Sequence, residues 1–283
     1  MTVTPQDRID DIVDLDRYPI HDLGSPRGTD LVEQCRQAFS DDVSCQLSGF
    51  IRSDAVAELV AEIEQREYRA VLSSRYRSPY GTYTPAHDET PDDHAATVAH
   101  TAPQRRHVHY LAYDEFETNS KLHRLYESPA VAAFAAAVLD IPALYHAADP
   151  LMGAPVTFHY PDCELGWHCD TQEFTITALF RPSASGGEFQ YVPSVGPDDE
   201  NYARVPSILD GDEQLIRTVA FNAGDIIIFR GANTLHRVTR TTGGEPRLLA
   251  VLHYERTPGR IFDDQFKLDV FHRTEPRGSQ ANG

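Results

Sequence analysis

The sequence is short of cations, of cysteines and of long apolar runs, and each shortage excludes something. Only 25 Lys and Arg stand against 43 Asp and Glu, a formal net charge of −18. A field of that sign repels DNA and RNA, so nucleic acid is not an expected partner, and an anionic membrane surface is disfavoured for the same reason. The longest unbroken apolar run, Ala130 to Leu139, is about half of the ~20 residues that a bilayer-crossing helix needs. No membrane span is expected. The start, Met1-Thr-Val-Thr-Pro-Gln-Asp-Arg8, has no basic segment followed by an apolar one, so no signal peptide is read there and a cytoplasmic location is expected. The four cysteines, Cys35, Cys45, Cys163 and Cys169, form no Cys-x-x-Cys pair and are too sparse for a disulfide framework, which predicts reduced thiols. No repeat of fixed period is present, and solenoids and propellers are set aside.

What is there suffices for a packed core: 283 residues, 41% hydrophobic and 24% charged. The chain reads as one domain over residues 1–283, in three parts. Residues 1–142 read as mainly helical. Thr29 to Phe39 places Leu31, Cys35 and Phe39 on one helical face with Val32 beside them, and a second helix opens at Ser53, taken as its cap. Two more are predicted over Ser120 to Tyr126 and Pro129 to Leu139. Between these pairs, Arg75 to Arg106 is rich in Pro, Gly, Thr, Asp and His without a clear period, and reads as a lid, a binding loop or a disordered stretch. Its His87, His94 and His100 read as solvated loop histidines.

Residues 143–273 change character, to short β-rich runs separated by turn residues. These are Val156 to Tyr160, Phe174 to Phe180, Glu188 to Val192, Leu215 to Phe221, Asp225 to Phe229, Leu235 to Thr239 and Arg247 to Tyr254. Such spacing predicts a sandwich or barrel. Pro193 to Gly211 interrupts it with a short helix over Tyr202 to Leu209. The ends, Met1 to about Asp16 and the tail 274–283, read as frayed.

With 13 histidines, only an arrangement of them carries meaning. In Gly166-Trp-His-Cys-Asp170, the side chains of His168 and Asp170 point to the same face if the chain is extended. His236 follows on another predicted strand, within Gly231-Ala-Asn-Thr-Leu-His-Arg-Val238. Two imidazoles and a carboxylate on a rigid β-scaffold match the facial triad of non-haem iron(II) oxygenases, which leaves coordination positions open. Arg247 enters the apolar strand Leu248-Leu-Ala-Val-Leu-His-Tyr254, where a guanidinium needs a carboxylate partner that a dicarboxylate co-substrate would supply. Trp167 and Cys169 read as packing residues. A jelly-roll binding protein holding structural zinc is the rival reading, opposed because such sites normally have four protein ligands and only three are in register.

The order His168-x-Asp170, His236, Arg247 resembles the iron(II)/2-oxoglutarate-dependent oxygenases. Glu164-Leu-Gly-Trp-His, Glu173-Phe-Thr-Ile-Thr, Gly186-Gly-Glu-Phe-Gln-Tyr, Phe229-Arg-Gly, Leu235-His-Arg-Val-Thr and Arg247-Leu-Leu-Ala-Val extend the likeness. They resemble the bacterial subgroup of free-amino-acid radical halogenases and hydroxylases, over roughly Leu144 to Pro258. The resemblance implies a double-stranded β-helix (jelly-roll, cupin-like) core with N-terminal helices packed against it. It also implies that His168, Asp170 and His236 hold Fe(II), that Arg247 grips the far carboxylate of 2-oxoglutarate, and that O₂ is consumed with release of succinate and CO₂. Where halogenases of the subgroup have a small residue, usually Gly, this chain has Asp170; hydroxylation, or another oxidation such as desaturation or ring closure, is therefore the expected outcome. No Arg-x-Ser pattern follows Arg247, so Thr177 or Tyr160 is expected to supply the hydroxyl partner of that carboxylate. A small free amino acid is the implied substrate, its carboxylate held by Arg105 or Arg106, only one of which can face inward. A homodimer is allowed.

Overall fold

The computed structural model describes residues 9–79, 102–195 and 199–277. Its helices begin mostly where the sequence supplies caps. In α1 (Pro26–Asp42) Pro26 fills the first turn and the Ser25 hydroxyl accepts from the Gly28 amide. In α2 (Ser53–Glu64) the expected cap is displaced: Ser53 is already helical, and Arg52 precedes it without a side-chain cap bond. For α3 (Lys121–Tyr126) and α4 (Pro129–Val138), Ser120 and Ser128 accept from His123 and Val131.

The strands are β1 (Ser44–Leu47), β2 (Val71–Arg77), β3 (Gln104–Leu111), β4 (Tyr145–His146), β5 (Val156–His159), β6 (Glu164–His168), β7 (Thr175–Arg181), β8 (Phe189–Val192), β9 (Arg217–Val219), β10 (Ile226–Phe229), β11 (Leu235–Val238), β12 (Arg247–Leu252) and β13 (Tyr254–Glu255). Apart from a small β13–β4 pair, they form a single curled sheet in the order β1-β10-β7-β12-β5-β3-β6-β11-β8-β9, with β2 added on β3. One wall is β10-β7-β12-β5 and the other β6-β11-β8-β9, antiparallel throughout, and β3 pairs with both β5 and β6 to close one side. This is the double-stranded β-helix.

Alternation along the first wall separates two environments. Val156 and Phe158, Ile176, Ala178 and Phe180, Ile226 and Ile228, and Leu248, Ala250 and Leu252 all join the core beneath the helices, against Leu59, Ile63, Phe134 and Val138. Their sequence neighbours face the interior of the roll. A satellite core puts the 193–211 insertion to use: Val205 and Ile208, from α5 (Val205–Leu209), pack on Trp167, Val192 and Leu235. Another carries α6 (Asp264–Phe271), whose Val270 and Phe271 pack near Met152 and Phe262.

The structure extends one expectation and corrects two. The first part of the chain carries the helices α1 to α4, and it also supplies β1, β2 and β3 to the main sheet. The span Arg75 to Arg106 is not a loop at either end. Arg75 to Arg77 and Gln104 to Arg106 are hairpin strands in register, with Arg75 opposite Arg106; polar side chains on these half-exposed strands hid the β period. His87, His94 and His100 lie outside the described residues. The described parts of the segments read as frayed are held in place: Ile9, Ile12 and Val13 are buried in the main core, and Arg273 and Arg277 are tied to Asp114 and Glu115, while residues 1–8 and 278–283 lie outside the described residues.

Candidate active site

The inward residues of the roll line a cavity of about 160 Å³, in which His168, Asp170, His236, Arg247, Thr177 and Arg106 all take part. His168 and His236 are direct cross-strand partners on β6 and β11, and their ring centroids lie 4.1 Å apart. Asp170 sits two residues past the end of β6, its amide donating to the Gly231 carbonyl at 3.0 Å. Its Oδ1 is 3.6 Å from His168 Nε2 and 3.5 Å from His236 Nε2. One ligand atom from each residue falls within 4.8 Å of the others. The pair opposite each other on the ladder and the carboxylate beyond it thus converge on one point.

The hydrogen bonds prepare both imidazoles for a metal. His168 Nδ1 donates to the Gly166 carbonyl and His236 Nδ1 to the Thr234 carbonyl, each at 2.8 Å. A carbonyl can only accept, so each Nδ1 carries the proton and each Nε2 turns its lone pair toward Asp170. Burial, with the His236 ring and Arg106 nearby, holds His168 far below its ordinary pKa, in the neutral form that ligates. Phe229 and Phe189 pack on the His236 ring, with centroids 5.0 and 5.8 Å away, and fix its plane.

Asp170 is fixed as firmly. Its Oδ2 accepts from the Thr175 hydroxyl at 2.6 Å. Burial pushes its carboxyl up, but His236, His168 and Thr175 outweigh that and hold it below the usual carboxylate range. Gly231 makes the room, since a Cβ there would meet Asp170 Oδ2 and Thr175 Oγ1, both at 2.6 Å. A donor set of two neutral imidazoles and one carboxylate, oriented from behind, fits Fe(II).

Arg247 lies in the same cavity. It is 2% exposed, and its Nη1 makes no hydrogen bond among the described residues. Burial pulls its pKa down to about 10, which leaves it charged at neutral pH. His159, opposite it on β5, has an unpartnered Nδ1. A buried guanidinium with a free donor fits an arriving carboxylate. Thr177, on neighbouring β7, lines the cavity too.

Tyr160 does not, contrary to expectation. It lies one residue beyond β5, and its hydroxyl donates to Glu67 in an outer depression shared with His109. Of the adjacent arginines, Arg105 faces out, binding Asp162 at 2.8 Å and Glu164 at 2.9 Å. Arg106 faces in. His159 and His253, which from their predicted strands read as buried structural histidines or supports of the site, both line the cavity; sequence reading passed over Arg75 and Tyr110, which also line it, and Phe266 and Phe271, which reach it from α6. Alternation on β2 would have pointed to Arg75, had that segment been read as a strand. Trp167 packs as expected, buried beneath the Arg237 guanidinium 4.5 Å from its ring centroid.

Comparison with known proteins agrees with this architecture. A family model described as Halogenase D matches residues 86–259, more than half of the chain. Among curated proteins none matches the sequence. An oxidoreductase of the 2OG-Fe(II) oxygenase family from Burkholderia pseudomallei superposes with a TM-score of 0.51 at 12% identity, covering 81% of this chain and 92% of that one. AviO1 from Streptomyces viridochromogenes Tue57 gives 0.53 at 16% identity, covering 81% and 96%. HygX from Streptomyces hygroscopicus, solved with nickel and 2-oxoglutarate bound, gives 0.52 at 14%, covering 81% and 87%. At such identities the likeness speaks for the fold, which is that of the iron(II)/2-oxoglutarate oxygenases. The sequence match goes further: this chain belongs to the Halogenase D family.

Proposed function

We propose that this protein is an Fe(II)/2-oxoglutarate-dependent dioxygenase that hydroxylates an unactivated C–H bond of a small free amino acid or a close derivative. One observation carries the reading: two imidazole Nε2 atoms and the Asp170 carboxylate converge in a cavity that also holds Arg247 with an unused donor. When bound, iron and 2-oxoglutarate supply, with O₂, the oxidising power that no side chain has. His168, Asp170 and His236 hold the metal, and their backbone and Thr175 partners keep the donors aimed. Arg247 binds the far carboxylate of 2-oxoglutarate and sets its orientation, with Thr177 as hydroxyl partner. Phe189, Phe229, Leu249 and Val251 line the cavity and exclude water from the reacting centre. Arg106 takes the carboxylate of the substrate.

Iron(II) and 2-oxoglutarate added without O₂ are expected to give a weak visible charge-transfer band, and admitting O₂ with substrate to yield succinate. His236→Ala loses both while its circular dichroism stays that of the parent. A wild-type protein without the band overturns the assignment.

A second reading, radical halogenation, is favoured by the description of the family. Asp170 opposes it by filling, with its Thr175 bond, the position that a halide would take. Asp170→Gly is expected to lose at least 100-fold in hydroxylation and to give at best weak chlorination in chloride buffer, read by product mass; chlorination by the wild type would select the second reading.

A further inference from the structure

The charge inside the cavity is opposite to that of the molecule. Three arginines line it, Arg75, Arg106 and Arg247, and among the described residues Asp170 is the sole carboxylate that does. Arg247 is committed to the co-substrate under the function proposed above, and Asp170 to the metal. Two guanidiniums remain, side by side, because Arg75 and Arg106 are register partners on β2 and β3.

Neither has its hydrogen-bonding capacity filled by its surroundings: among the described residues Arg75 has only a stretched ion pair with Asp269 and the face of the Phe266 ring, 5.7 Å from its guanidinium carbon. Arg75 Nε and Nη1 and Arg106 Nε are buried and make no hydrogen bond among the described residues. The carboxylate nearest Arg75, that of Asp269, stands 3.7 Å from Nη1, and it already accepts from Arg77 and from Gln265 at 2.9 Å. Buried guanidinium donors without hydrogen-bond partners are costly, so such a pair persists where a ligand completes it. A neutral amino acid has one carboxylate, enough for one of these two. A basic amino acid needs an acceptor for its side-chain cation, and no uncommitted carboxylate faces the cavity among the described residues. Gln172, which does line it, offers an uncharged amide.

We propose that the substrate is a small amino acid with an acidic side chain, one carboxylate meeting Arg106 and the other Arg75. This rests on the dioxygenase reading for the reaction but not for the binding. Arg75 is thereby the residue that sets specificity, by leaving buried guanidinium donors without a hydrogen-bond partner whenever the second carboxylate is missing.

The test is calorimetric titration of the full chain, loaded with Fe(II) and 2-oxoglutarate and kept free of O₂. The probes are L-aspartate and L-glutamate against the isosteric L-asparagine and L-glutamine, with L-lysine and L-leucine as further controls. At least one acid is expected to bind tenfold or more tightly than its amide and than both controls. Arg75→Met brings acid and amide within about threefold, and Arg75→Lys, which keeps the charge, restores part of the difference. Amides, lysine or leucine binding as tightly as the acids, or no binding by any of the six, overturns the proposal, as does undiminished discrimination in Arg75→Met. The wild-type comparison decides even if that variant does not fold. The charge-transfer band, recorded on the same sample before any amino acid is added, tests the dioxygenase reading by itself. If it is absent, the titration is repeated without iron, and the same acid preference still decides this proposal.

Discussion

At the scale of single residues, the site works by giving each charged or ligating group a fixed direction and one open valence. The imidazoles spend their Nδ1 protons on backbone carbonyls two residues upstream, Gly166 and Thr234, and keep Nε2 for the metal. Arg247 keeps Nη1. Replacing Arg247 by Met, which retains the apolar stem but not the fork, is expected to raise the KM for 2-oxoglutarate at least tenfold with a much smaller change in the KM for substrate. Hydrogen bonds to charged groups are worth about 1.5–3 kcal/mol each, enough for such a change. Steady-state kinetics with either component varied check this, and an unchanged requirement for 2-oxoglutarate removes Arg247 from that role.

At the scale of elements, β12 shows how one strand serves two purposes. Leu248, Ala250 and Leu252 pack under the helices, while Arg247, Leu249 and Val251 line the cavity. Neighbouring substitutions should therefore differ in kind. Leu248→Ala, at a fully buried position, is expected to cost about 2–5 kcal/mol of stability and lower the Tm with little effect on kcat/KM of the folded fraction. Leu249→Ala widens the cavity instead and acts mainly on the KM of the substrate. Thermal melts and kinetics on the two variants separate the effects, and a reversed pattern contradicts the register. The hairpin β2–β3 was the element hardest to foresee. Its burial is partial and its inward residues include arginines, so neither a hydrophobic period nor an apolar run marked it as a strand.

At the scale of the whole molecule, an acidic surface is stitched by arginine and lysine pairs. Asp11 joins the N-terminal segment to α3: its hydrogen bond to Arg124, helped by Lys121, holds its carboxyl well below the ordinary range. A carboxyl lowered in the folded state adds stability that is present above its unfolded pKa, about 4, and lost as the pH falls toward the folded value. Asp11→Asn is thus expected to lower the Tm at pH 7, with a gap to the parent that narrows by pH 3. A gap independent of pH would mean that Asp11 contributes through packing alone.

The sequence by itself determined the β-roll, most helix starts and the convergence of ligand types. These depend on short-range rules: alternation on half-buried strands, serine caps and Pro at helix starts, and the spacing in His168-x-Asp170. Tertiary structure alone decided which of Arg105 and Arg106 enters the cavity, that Tyr160 turns outward to Glu67, and that Arg75 comes to stand beside Arg106. Residue spacing leaves the facing of a strand undefined until its partners are known, because a shift of one residue exchanges its two sides. Pairing of β3 with both β5 and β6 fixes that choice, and through it the charge of the cavity.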